Sequence, residues 1–232
     1  MRQSSLKKAA FGTLIGESLF TLGKLQGDPA TADLVATMQP SHRGLKTAQA
    51  ALIEVADEKA MAEGALQAAL TGAHAAQTAV WLAAKTITGN SREPQPLMTH
   101  LFPHGLTGAK ATPPAGLSNE LKRLSAAIKD DGAAAPLAPH LRALAEQTRR
   151  LEGPLASLKE IELRESRAQA QATRARNDYL DARDVLYGAL LARFPRQAGF
   201  CNSFYKKQAP AKSRAGAGGA AGGGAASGAP AA

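Results

Sequence analysis

Between Ser41 and Thr88 the chain runs 48 residues without a proline. Within that run Leu45, Ala48, Leu52, Val55, Ala62, Leu66, Ala69, Ala73, Ala76, Val80 and Ala83/Ala84 recur at steps of mostly three and four. Such a stripe predicts one long amphipathic helix, about 70 Å at ~1.5 Å rise per residue. Its seam is heptad-like, but most of its members are alanine, so the helix that covers it has to approach closely. Lys59 is the polar interruption of the stripe.

A second stripe runs from Leu137 through Leu144, Leu151, Ile161, Ala168, Tyr179 and Leu186 to Phe194. Gly153-Pro154 is expected to break or kink it, and Pro195 to end it. Two long striped helices joined by shorter pieces predict an all-α fold: an elongated antiparallel helical bundle of four to five helices built on the two long ones. Composition agrees, since 51 of 232 residues are Ala, ten are aromatic and β-branched residues are scarce. A sandwich, a barrel or a doubly wound sheet would need the opposite balance. An alanine seam buries little area per residue, so stability has to come from length and close approach, and a homodimer would bury more of the seam.

The remaining segments are shorter. Residues 4–25 read as a first helix, and Asp28-Pro29 as an N-cap and first-turn signal for a short helix through Met38 that Pro40 stops or kinks. Ser41 is then the cap of the long helix. Residues 90–116 hold five prolines and read as an irregular connection whose centre, LMTHLFPHGL, packs onto the bundle as a lid. Ser118 starts another helix, which ends near Asp131-Gly132, and 133–136 is a flexible link. The expected layout is a helical bundle domain over 1–208 and a disordered Ala/Gly-rich tail over 209–232, which lacks the apolar surface to order itself. Two segments, LFPHGLTG at 101–108 and VLYGALLARFP at 185–195, resemble recurring pieces of uncharacterised all-helical bacterial proteins. That resemblance implies a helical bundle with a packed Phe-Pro-x-Gly-Leu lid and implies no activity.

The net charge of +9 is unevenly placed. Residues 196–232 carry Arg196, Lys206, Lys207, Lys212 and Arg214 and no acid, so five of the nine charges belong to the last 37 residues. The basic balance is a property of the tail rather than of a nucleic-acid-binding domain. The N-terminus has Arg2, Lys7 and Lys8 ahead of a short apolar stretch that Glu17 interrupts, without a small-x-small cleavage site, so a secretory signal is not expected. No run approaches the ~20 apolar residues of a membrane span. The expected location is cytoplasmic. Surface binding of a membrane by the first helix, through Lys7 and Lys8, is a third-ranked reading.

Chemistry is sparse. His100 and His104 are four apart but separated by Pro103, no Glu-x-x-His pair occurs, and a metal site is not expected. Cys201 stands between Phe200 and Phe204 and reads as a packing thiol. There is no G-x-S-x-G elbow and no phosphate-binding glycine motif outside the low-complexity tail. The chain is expected to be no enzyme, with no catalytic residue and no cofactor. Arg164, Arg167, Arg174, Arg176, Arg183 and Arg193 are interleaved with Glu160, Asp178 and Asp181, the pattern of an ion-paired face.

The densest aromatic cluster is Phe194, Phe200, Phe204 and Tyr205, followed at once by Lys206 and Lys207. It either closes one end of the bundle, against Phe11, Phe20 or Phe102, or docks a partner through Phe200, Phe204, Tyr205, Lys206 and Lys207. Trp81 is expected at that same end. The functional expectation is a scaffold or protein-interaction module with an unknown protein partner. The alternative is weak, sequence-independent nucleic-acid association through Lys206, Lys207, Lys212 and Arg214.

Overall fold

A computed structural model of the chain describes residues 9–89 and 95–206. Among these residues there is no strand. Seven α-helices carry the fold: α1 (Phe11–Gly27), α2 (Val35–Ile87), α3 (Pro96–Leu101), α4 (Gly105–Lys110), α5 (Pro114–Asp130), α6 (Leu141–Arg193) and α7 (Ala198–Asn202). Two 3-10 segments, Ala32–Leu34 and Gly132–His140, lead into the long helices. The tail expected to be disordered, 209–232, lies outside the described residues, as does the start of the helix expected from residue 4.

The long helices α2 and α6 have 53 residues each, about 80 Å at ~1.5 Å rise. They pair antiparallel. Glu58 and Lys59 near the middle of α2 meet Arg164 and Glu165 near the middle of α6, and Asp33, just before α2, meets Arg193, the last residue of α6. The striped residues form the seam, with Leu45, Ala73, Val80 and Ala84 fully buried on α2 and Leu144, Leu151, Tyr179 and Leu186 fully buried on α6.

Several boundaries differ from the sequence reading, and proline explains most of them. Pro40 does not stop a helix; α2 starts at Val35 and runs through it. The lost backbone hydrogen bond and ring clash are worth ~3 kcal/mol or more. Burial of Met38, Ser41, His42 and Leu45 around that turn offsets them, and Ser41 donates its hydroxyl to the Met38 carbonyl rather than capping a helix. Gly153-Pro154 likewise does not break α6, which is flanked there by the fully buried Leu151. Pro136 and Pro139 fall instead in the 3-10 segment, so α6 begins at Leu141 and not at Leu137. That segment is packed rather than a loose link: the Asp131 carboxylate accepts from the Ala133 amide, and Ala134 and Leu137 are fully buried.

In the described part of the expected irregular connection, residues 95–116, most of the chain is helical. Pro96 and Pro114 sit in the first turns of α3 and α5, where a missing N–H has no helical partner to lose. Ser118 is therefore mid-helix, and its hydroxyl reaches Glu152 on α6 at 3.0 Å. Pro103 occupies the turn Phe102–Gly105, closed by a 2.9 Å bond from the Gly105 amide to the Phe102 carbonyl. Gly105 has φ 69°, a left-handed conformation that glycine adopts without a Cβ penalty, and this accounts for the Phe-Pro-x-Gly spelling. Leu97, Leu101, Phe102 and Ala109 turn inward as the lid.

The core is divided along the rod. One end cluster joins Ala69–Ala84 of α2 to α3–α5, the 3-10 segment and Leu144 and Leu151 of α6. The other joins α1, Met38 and Leu45 of α2, Tyr179–Leu190 of α6 and α7. Between them lies a two-helix waist in which Val55, Ile161 and Ala168 are buried.

Helix α1 is fastened to α2 by a buried polar pair, Ser18 Oγ and His42 Nδ1 at 2.6 Å. Burial holds the His42 imidazole below the ordinary histidine value, and the neighbouring Lys46 ammonium pushes it the same way. The folded protein thus binds fewer protons at this site than the unfolded chain. The stabilisation is complete above the unfolded value of about 6.5 and is lost as pH falls below it. Thermal melts between about pH 7.5 and about pH 5 should show falling stability, and His42→Gln should flatten that dependence. An equal slope in the variant would assign the dependence to other groups.

Candidate functional site

The aromatic C-terminal segment mostly faces inward. Phe194 ends α6, and Pro195 and Arg196 turn the chain back, with the Gln197 amide bonding the Phe194 carbonyl at 3.2 Å and Arg196 at φ 67°. The returning α7 lays Cys201, Phe204 and Tyr205 into the end cluster, at 0 %, 2 % and 6 % exposure. Thr21 of α1 donates to the Phe204 carbonyl at 2.9 Å, and Tyr205 donates to the Arg183 carbonyl at 3.2 Å. The Arg183 guanidinium lies 4.7 Å from the Tyr205 ring centre, a desolvated cation–π contact. Burial pushes the Tyr205 hydroxyl well above its usual range and the Tyr179 hydroxyl up to about 12, so both stay neutral.

Of the five residues assigned to a partner surface, Phe200 and Lys206 are the exposed ones. Phe204 and Tyr205 close the bundle end, and Lys207, Lys212 and Arg214 lie outside the described residues. The Phe200 ring is held edge-on between Phe194 at 4.9 Å and Phe204 at 5.2 Å. Phe11 packs against this cluster, whereas Phe20 is over a third exposed. Trp81 and Phe102 form their own edge-on pair, 5.1 Å apart, in the opposite end cluster. The expectation that Trp81 shares an end with the C-terminal aromatics is therefore corrected: an antiparallel hairpin sends the last turns of α2 and of α6 to opposite ends.

The arginines of α6 serve internal contacts. Arg193 grips Asp33 through two bonds of 2.6 and 2.8 Å and also donates to the Ala30 carbonyl. Arg164 pairs with Glu58 across the hairpin, where the sequence suggested Glu160 on its own helix. Arg176 donates to the Ala9 carbonyl and covers the Phe11 ring at 5.2 Å. Arg167 and Arg174 are exposed, as are Arg164 and Arg193 in their pairs.

At the lid end, a groove of about 460 Å³ separates α5 from α6, with Lys122, Lys129 and Arg149 set against Asp130 and Glu152. Lys122 pairs with Glu152 at 2.6 Å, and the Lys122 and Ser118 hydrogen bonds hold the Glu152 carboxyl below the usual range. The sequence reading passed over this groove. Its signal is the seven-residue spacing of Lys122 and Lys129, which puts both cations on one helix face. A smaller hollow of about 190 Å³ lies under the Phe-Pro-x-Gly turn. Arg123 braces that turn, with its guanidinium forked onto Glu120 and bonded to the Leu101 carbonyl at 2.6 Å.

Among the described residues no group of three or more His, Cys, Asp or Glu side chains could hold a metal ion, and no helix is long and apolar enough to cross a membrane. His100 lies in the last turn of α3 and His104 precedes α4, on either side of the Pro103 turn. Large apolar side chains are exposed along the rod: Ile53 (54 %), Met61 (69 %) and Leu82 (58 %) on α2, and Leu163 (63 %) on α6. No family model, no curated protein and no solved structure matches the chain.

Proposed function

We propose that the protein is a non-enzymatic scaffold or interaction module, a rigid helical spacer that offers partner helices its flanks. The observation that carries this reading is the row of exposed large apolar residues on a rod whose own core is satisfied at both ends. Exposed apolar surface of this kind on an otherwise polar helix is where partner helices dock. Phe200 with Lys206 adds a second, smaller contact at the rod's end.

A photo-crosslinking residue placed at Met61, Leu82 or Leu163 tests the reading in the cells that make the protein. Discrete adducts, of this chain with itself or with another protein, are the expected outcome. Competition by added unlabelled protein should remove them. Adducts absent at all three positions would overturn the interaction reading.

Nucleic-acid association through Lys206, Lys207, Lys212 and Arg214 is the second reading. What favours it is that 196–232 contains no acid to compete with phosphates for those cations.

A further inference from the structure

We propose that the outward face of α2 is a homodimer interface in which two copies pack α2 against α2, antiparallel, across a two-fold axis between Gln67 and Ala68. The inference rests on the interaction-module reading and names the first partner as a second copy of this chain.

Its starting point is a second stripe on α2, on the side turned away from α6. Ile53, Ala60, Gly64, Thr71, Ala75 and Leu82 are all exposed and stand 7, 4, 7, 4 and 7 residues apart. Those intervals keep a stripe on one face of a helix. They also read the same in both directions. An antiparallel copy therefore sets Ile53 against Leu82, Ala60 against Ala75 and Gly64 against Thr71, each contact made twice, as an isologous interface requires. The large residues stand at the two ends of the stripe and the small ones at its middle. Two helices that cross at Gly64–Thr71 and diverge toward Ile53 and Leu82 fill such a profile, whereas a parallel copy would set the acid-bearing half of the face, with Asp57 on the stripe, against itself.

Charge and hydrogen bonding agree. No Asp, Glu, Lys or Arg occurs from Gly64 to Ala84, although eight of those 21 residues are exposed in the single chain. Helix faces that stay in water carry charge; faces that pack do not. The Thr71 hydroxyl donates to the Gln67 carbonyl at 3.0 Å and the Thr78 hydroxyl to the His74 carbonyl at 2.7 Å. Covering the face thus strands neither. Glu54, Asp57 and Glu63 lie in the half of α2 that the antiparallel copy sets against the charge-free half, with Asp57, four residues after Ile53 on the stripe itself, opposite Thr78.

Area decides the strength expected. The stripe is about 45 Å long and about 10–12 Å wide, so two copies together bury on the order of 1,000 Å². That reaches the lower bound of specific interfaces, the size class of weak and transient association.

Sedimentation equilibrium of the full chain should show a monomer–dimer equilibrium in the micromolar range. Ala68→Arg, an exposed substitution that leaves circular dichroism unchanged, should weaken it at least about tenfold by burying an unpaired charge at the axis. Orientation is read by cysteine crosslinking, because Cys201 is fully buried and leaves an introduced thiol as the reactive one. Ala68→Cys should crosslink to itself, and Ile53→Cys should crosslink to Leu82→Cys but not to itself. A chain that stays monomeric, a dimer indifferent to Ala68→Arg, or Ile53→Cys linking to itself would each overturn the proposal. A monomer that still gives adducts with other proteins would overturn the dimer and leave the interaction reading standing.

Discussion

Phe204→Ala is expected to cost about 3–5 kcal/mol of folding stability, the range for deleting a buried aromatic ring. The ring is 2 % exposed and packs edge-on against Phe200, while its own carbonyl holds the hydroxyl of Thr21. Its loss opens a cavity where α1, α6 and α7 meet, so α1 should lose hydrogen-exchange protection first. Phe200→Ala, at a ring 38 % exposed, should cost about 1 kcal/mol, because most of the cavity term is absent. Chemical denaturation of the two variants checks the ranking. Equal costs would show that Phe204 is not the ring that closes the bundle end. The same pair separates structure from recognition: loss of binding in Phe200→Ala without loss of stability marks a contact surface, whereas binding lost in Phe204→Ala follows α1.

The long helices were legible because their signal is repetitive. Eleven seam positions on α2 at three- and four-residue steps outweigh any single residue, and even Pro40 could not divert the helix once Met38 and Leu45 were buried beside it. The 90–116 stretch was misread for the converse reason. Proline is a breaker inside a helix and a favoured residue in its first turn, and a sequence without long periodicity on either side does not say which. Pro96 and Pro114 turned out to open helices. Ser118 looked like a cap because Glu120 and Leu121 follow it, yet its partner is Glu152, 34 residues away.

The contact surfaces were harder to read, because exposure is a tertiary property. Phe200 and Phe204 are four apart and look alike in sequence, and only the turn at Pro195-Arg196 decides that one ring is covered and the other left partly open. Arg164 and Arg193 of α6 were legible as ion-paired, but their partners came from α2 and from the segment before it, whereas Arg150 pairs with Glu146 on its own helix. Lys59 carried the most information of any single position. Read as a flaw in the seam, it is one half of a pair, and the other half, Glu165, lies at seam spacing on α6.

That pair makes Lys59→Glu the second variant with a large expected effect. The Lys59 ammonium meets Glu165 at 2.8 Å, with Glu63 and Glu162 close enough to raise its pKa further. Reversing it places a fourth carboxylate among three at the narrowest part of the core, where Val55, Ile161 and Ala168 are the buried residues. Like charges across a helix seam destabilise, and here little apolar burial opposes them. The melting temperature should fall markedly, and hydrogen exchange should locate the loss at the waist while both end clusters keep their protection. Adding Glu165→Lys should restore most of the loss, and raising salt should shrink the deficit of the single variant, since both side chains are about one-third exposed. A different pair of substitutions asks why the ions are there. Lys59→Leu with Glu165→Leu makes the seam continuous and should raise the melting temperature, as replacement of a partly buried ion pair by apolar residues often does. It also removes one of the pairs that, with Arg164–Glu58 and Arg193–Asp33, distinguish this register from a heptad slip along an alanine seam. Fluorescence transfer between labels at Asp57 and Arg167 should then broaden into more than one distance. A charge swap that fails to rescue would sink the pairing, and a single sharp distance in the leucine pair would show that Arg164–Glu58, Arg193–Asp33 and the end clusters set the register without it.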